Sequence, residues 1–143
     1  MGYTHYWTTK KPIIFSKEEW DNLKETARII FKECKAMNIK LCYDENNKSS
    51  SPRANNIEIV FNGFKNLSHE TFILTPIIDG FNFCKTERKP YDIAVTALLI
   101  YIQNSKHPDI KVSSDGDNND WIAGLNLLHK ADPGIIYNIP ENL

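Results

Sequence analysis

Hydrophobic and polar positions along this chain change period several times, and each change predicts an element. Residues 3–9, YTHYWTT, alternate between two mixed faces and are rich in Tyr, Trp and Thr, which predicts a strand. Tyr3, His5 and Trp7 share one of its faces and Tyr6 lies on the other. Over residues 15–38 the period lengthens. Trp20, Leu23, Ala27, Ile30 and Cys34 recur at three and four residue intervals, the stripe of an amphipathic helix. Ser16 followed by Glu19 has the spacing of a capping box, and Phe15 is placed to staple onto Trp20.

Alternation returns in IKLCY (39–43), IEIVFNG (57–63), HETFIL (69–74) and FNFCK (81–85), each predicting a strand. The second and third of these should pair as a hairpin across FKNLS. DENNKSSSPRANN has no period and reads as a loop. KPYDIAVTALLIYIQNS begins with Pro90 at a first-turn position and becomes apolar almost all round, predicting a central buried helix. DIKVSS is a strand and DGDNND a turn, with Asn118 or Asn119 as helix cap. DWIAGLNLLHK is a helix weakened by Gly124, and IIYNIP is a terminal extended segment. The order β-α-β-β-β-β-α-β-α predicts a single α+β domain over residues 1–143. Its sheet should be largely antiparallel, with about five to six strands and two to three helices packed mainly on one face.

Composition narrows the function. The formal net charge of −1 leaves no global field to attract nucleic acid or an anionic membrane, so any anion site must be local. Without a basic stripe or a reading motif, a nucleic acid polymer is not an expected partner. No apolar run approaches the roughly 20 residues of a spanning helix. With no signal-peptide pattern in the first fifteen residues, the expected setting is cytoplasmic, without membrane attachment. Cys34, Cys42 and Cys84, without CxxC spacing, predict free buried thiols.

Candidate chemistry concentrates in FNFCKTERKPYD. Lys85, Arg88 and Lys89 surround the start of the apolar helix, where Lys89 would be a poor N-cap. Asp92 and Thr86 can answer some of the free N–H groups, and the rest suit a phosphate or carboxylate. Ser114 and Asp115 stand at a strand end. The following DGDNND fails the calcium-loop pattern at its sixth and twelfth positions. His5, His69, His107 and His129 have no zinc spacing, so neither a metal nor a cofactor is expected. Of these, His5 and His69 are the two candidates for acid–base work, with Asp115 as partner. Cys84 beside Lys85 alternates toward the core rather than toward a substrate.

MGYTHYW, HETF, FCKTERKPYD and KVSSDG, in this order, resemble the motifs of a family of small uncharacterised bacterial and phage proteins, over residues 1 to about 125. The resemblance carries no reaction with it. It does place His5, Tyr6, Trp7, His69, Lys85, Thr86, Lys89, Tyr91, Asp92, Ser114 and Asp115 inside shared motifs.

The leading expectation is a binding module for a phosphorylated, nucleotide-like or other anionic small molecule. Lys85, Arg88 and Lys89 would neutralise charge, and Tyr6, Trp7 and Trp121 would stack on a base. The phage association makes sequestration of a host nucleotide immune signal one concrete form. The alternatives are a hydrolase or transferase using His5 or His69 with Asp115, and an interaction protein or homo-oligomer built on the aromatic strand. If the opening strand lines the anion pocket, His5 or Tyr6 must lie near Lys85 or Arg88.

Overall fold

A computed structural model describes residues 2–141 and 143. The element order is β1 (Thr4–Thr8), β2 (Ile13–Ile14), α1 (Lys17–Ala36), β3 (Arg53–Ala54), β4 (Ile59–Phe61), β5 (Phe72–Leu74), β6 (Ile77–Ile78), β7 (Phe81–Lys85), α2 (Asp92–Gln103), β8 (Lys111–Ser114) and α3 (Asn118–Ala131), with a 3-10 turn at Lys65–Leu67. The chain is α+β, and every strand pair is antiparallel.

The strands divide among three small sheets, ordered β7-β1-β8, β2-β6 and β3-β4-β5, rather than one. Prolines help to set the breaks. Pro12 and Pro76 lack donors and stand just before β2 and β6, which pair for only two residues. IKLCY contributes no strand. Cys42 alone bridges Asn62, because the chain needs just one ladder rung there before the polar loop.

Local signals hold where they are strong. The Ser16 hydroxyl accepts from Glu19 N–H and the Glu19 carboxylate accepts from Ser16 N–H, so α1 begins with a complete capping box. Its predicted stripe is buried, and the Phe15 and Trp20 rings lie 6.5 Å apart. The predicted hairpin pairs Ile59 with Leu74 and Phe61 with Phe72. α2 is buried from Ala94 to Ile100, which explains its lack of a polar face. α3 packs across it at Gly124, where an added Cβ would overlap the Thr96 side chain.

The central sheet positions the site. β1 lies between β7 and β8, with His5 opposite Cys84 on one side and Ser114 on the other. Tyr3, His5 and Trp7 point inward, toward the helices, and all three are buried. Tyr6 points outward beside Phe81.

Candidate functional site at the β1 entrance and the 85–92 turn

Between β7 and α2 the chain makes a tight turn through Thr86, Glu87, Arg88 and Lys89. Thr86 and Glu87 both donate N–H to the Tyr3 carbonyl, fastening the turn to the start of β1. Glu87 and Arg88 follow each other at φ of 53° and 59°. Two successive non-glycine residues in the left-handed region cost conformational energy, and such outliers concentrate at ligand sites. This geometry lays the Arg88 guanidinium over the Tyr3 ring, 4.0 Å from its centroid. The same guanidinium donates to Asp120 at 2.7 Å.

Two clefts flank this stack. One, of about 580 Å³, is lined by Gly2, Tyr3, Glu87, Arg88 and Asp115. The other, of about 210 Å³, includes Tyr3, Arg88, Lys89, Asp92 and Asp120. Tyr3 is buried, lines both clefts, and its hydroxyl has no hydrogen-bond partner among the described residues. Burial, with the Asp92 and Asp120 carboxylates adding to it, pushes the phenol up to about 12. It therefore stays protonated at neutral pH, with its hydroxyl enclosed beside Gly116 and Ser114. The Asp120 carboxyl is held below the usual carboxylate range, first by the Arg88 guanidinium and then by the Asp117 N–H.

Behind Tyr3 lies a buried polar network. His5 has no exposed surface, and its ring meets Tyr3 edge-on at 4.9 Å and Trp121 edge-on at 5.0 Å. Its Nε2 lies 2.6 Å from Asp92 Oδ1 and its Nδ1 lies 2.7 Å from the Ser114 hydroxyl. Thr86 donates its hydroxyl to the same Asp92 oxygen at 2.5 Å. With Asp92 as acceptor, Nε2 carries the proton and Ser114 donates to Nδ1. Ser114 in turn accepts from Gly116 N–H. Three segments distant in sequence, β1, the 86–92 stretch and the end of β8, are thereby tied into one hydrogen-bonded unit.

Several sequence expectations are corrected by this arrangement. The N–H groups at the start of α2 are not free for an anion. Asp92, Ile93 and Ala94 donate to the carbonyls of Lys89, Pro90 and Tyr91, because a helical turn precedes the helix. Tyr91, not Lys89, occupies the cap position. Asp92 and Thr86 serve His5 rather than capping the helix. Trp7 packs on Phe72 with 3% exposure, and Trp121 is wholly buried, so neither can stack on a base. The cap of α3 is Asp117, whose carboxylate accepts from Asp120 N–H, rather than Asn118 or Asn119. At the end of α3 the Tyr137 N–H donates to His129 Nε2.

The remaining candidates partly converge. Thr4 pairs with Lys85, whose ammonium lies 3.5 Å from Glu87 Oε1. Lys89 lines the smaller cleft. Asp115 lines the larger one, accepts from Thr4 N–H at 3.0 Å, and takes the Tyr6 hydroxyl at 3.3 Å. The side-chain bonds of His5 run to Asp92 and Ser114 and that of Tyr6 to Asp115, so the residues of the opening strand that meet Arg88 and Lys85 are Tyr3 and Thr4 instead of the expected His5 or Tyr6.

His69 is exposed and lines neither cleft, while His5 faces inward and Asp115 outward, so the three acid–base candidates do not assemble. Cys84 is fully buried, and burial with the Glu70 carboxylate nearby pushes its thiol up to about 12, the inert side of thiol chemistry.

Tyr3 and Asp120 are site residues that the sequence did not single out. Glu70 accepts Lys85 N–H at 2.6 Å, and its carbonyl accepts the Tyr91 hydroxyl at 2.5 Å, so it fixes the cationic turn from below. Tyr3 carried one usable signal: it shares the inward face of β1 with His5.

Among the described residues no cluster of three metal-ligating side chains occurs, and no helix is long and apolar enough to cross a membrane. Comparison with family models, curated proteins and solved structures finds no match.

Proposed function

We propose that this chain is a binding module for a phosphorylated, nucleotide-like small molecule, held in the paired clefts around Arg88. The observation that carries this reading is the Arg88–Tyr3 stack: a strained, anchored guanidinium beside a buried phenol with no partner of its own. A planar guanidinium presents forked donors that match phosphate or carboxylate, and a preformed donor costs little entropy on binding. Lys85 and Lys89 add local positive charge on either side. Tyr6, linked to the larger cleft through its hydroxyl bond to Asp115, would supply the ring for a base. Sequestration of a nucleotide signal is the concrete form suggested by the motif resemblance to phage proteins.

His5 supports this reading as an internal brace. It sets Asp92, Thr86 and Ser114 behind the clefts and meets no solvent.

The test is thermal shift and calorimetry against ATP, ADP-ribose and cyclic dinucleotides. A ligand at a hundred times its dissociation constant should stabilise the fold by about 2.7 kcal/mol. Recovery of the unaltered compound after heat denaturation is the expected outcome. Absence of stabilisation by every phosphorylated compound would sink the reading.

A further inference from the structure

On the opposite side of β7 from β1, the molecule leaves a groove of about 310 Å³ between β7 and β5. Its walls carry Ile73, Ile77, Phe81 and Phe83, each more than half exposed, and its floor is formed by buried Trp7 and Leu74. Four large apolar side chains left in water around one groove are the kind of surface a partner covers.

The backbone says what kind of occupant fits. Thr9 N–H donates to the Gly80 carbonyl and Thr86 N–H to the Tyr3 carbonyl, at the two ends of the β1–β7 ladder. Hydrogen-bonded pairs alternate along an antiparallel ladder. Trp7–Asn82 and His5–Cys84 are therefore the bonded pairs, and Phe81, Phe83 and Lys85 turn their N–H and C=O groups away from β1. Lys85 confirms the phase: on that outer side it donates to the Glu70 carboxylate, and its carbonyl accepts from Glu70 N–H. Phe81 and Phe83 have no such partner among the described residues.

The facing wall obeys the same rule. Asn62 exchanges both bonds with Cys42, so Val60 also faces that side, toward β3. Ile59 and Phe61 then bond to Leu74 and Phe72 of β5, and the Ile73 backbone turns away from β4. Both walls thus present unused strand edges, which natural proteins ordinarily cover.

We propose that this groove receives an extended segment of a partner polypeptide, added as a strand along β7 with apolar side chains at alternate positions. Only a polypeptide supplies N–H and C=O groups at the spacing the edges require; a lipid or a flat hydrocarbon would leave them unpaired. A second copy of this chain is a poorer fit. The free β7 edge of such a copy is itself recessed behind the β5 wall of its own groove, and the extended segment after α3 is tied down by bonds from Tyr137 to His129 and Asp132 and from Asn138 to Asn104. With Lys85 already bonded to Glu70, the free edge runs along Phe81–Phe83 and offers room for about three residues of added strand at roughly 3.4 Å each.

The test starts from a display library of random eight-residue peptides selected on the immobilised full chain. Enriched peptides should alternate apolar and polar residues, and a synthetic copy should slow amide exchange at Phe81 and Phe83 at least tenfold. Methylating alternate backbone nitrogens of that peptide keeps its side chains and removes half its donors; in one of the two registers binding should fall at least tenfold. Phe83→Pro removes one edge donor without touching the β1 ladder and should weaken the same peptide. If that variant fails to fold, Phe83→Thr, with the wall ring removed, takes its place. No enrichment, binding indifferent to both methylated forms, or a concentration-dependent dimer that protects these amides without peptide would each overturn the proposal.

Discussion

Arg88 lies flat on the Tyr3 ring, at 4.0 Å from its centroid, while its guanidinium reaches Asp120. Three groups meet in that stack: a cation held in place, the buried phenol ring beneath it, and a carboxylate that a ligand phosphate would compete with. The arrangement makes Arg88 the residue whose loss should separate binding from folding.

Arg88→Ala is expected to lower affinity for a phosphorylated ligand by about tenfold or more, the scale of a lost charge-assisted hydrogen bond. Arg88→Lys should recover only part of it, because a point charge neither stacks nor forks. The side chain is largely exposed, so the urea midpoint of the free protein at neutral pH should fall only by the small contribution of the Asp120 pair. Calorimetry and urea unfolding on the same samples check this. A variant that unfolds early but binds normally would make Arg88 a structural residue.

Asp120 supplies a pH signature. Its carboxyl is held below its usual value of 3.8, chiefly by Arg88, in the folded state. The unfolded chain therefore takes up a proton first as the solution is acidified. The stability this provides is complete above about pH 4 and is lost as pH falls through the lower native value. Asp120→Asn should flatten this acid limb in urea midpoints measured across pH, and Arg88→Ala should do the same. An unchanged acid limb in both variants would remove the pair from the stability of the site.

His5 tests the brace. Replacing it with Phe would keep the ring among Tyr3 and Trp121 but strand the Asp92 carboxylate on Thr86 alone. Losing a hydrogen bond to a charged group costs about 1.5–3 kcal/mol, so His5→Phe should lower the urea-derived stability on that scale. Ser114→Ala, which removes one neutral donor, should cost about 1 kcal/mol. A His5→Phe protein as stable as its parent would show that the network is not structural.

What the sequence made legible follows a physical division. The Ser16–Glu19 box, the buried stripe of α1 and the Ile59–Leu74 pairing are set by neighbours a few residues apart, or by one period of alternation. The orientation of β1 is not. His5 is polar and yet faces inward, and it can do so only because Asp92 and Ser114, at 87 and 109 residues' separation, arrive with matching acceptor and donor.

The helix start at Lys89 misled for a related reason. Pro90 can begin a helix, but here it sits in a preceding turn that already satisfies the N–H groups an anion would use. The cationic character of the turn was visible in the sequence. Its use through Arg88 and Tyr3 depended on two positive φ angles that no residue type announces.

Gly124 is the last case, because its role reverses between the two views. Within α3 alone it is a defect, about 1 kcal/mol worse than alanine in an exposed helix. In the fold it is buried where α3 crosses α2, and a Cβ there would overlap Thr96 Oγ1 and press on the Ala97 backbone. Thr96 cannot easily give way: its hydroxyl bonds back to the carbonyls of Asp92 and Ile93, one turn from the Asp92 carboxylate that holds His5.

Gly124→Ala should therefore destabilise by about 1–3 kcal/mol, the range for overpacking a close contact, despite its better helix propensity. Thr96→Ala in the same chain should return part of the loss by opening the space, a coupling a double-mutant cycle in urea would read directly. If Gly124→Ala stabilises the protein, the helices can separate without penalty, and the tight α2–α3 crossing does not hold Asp92 in place.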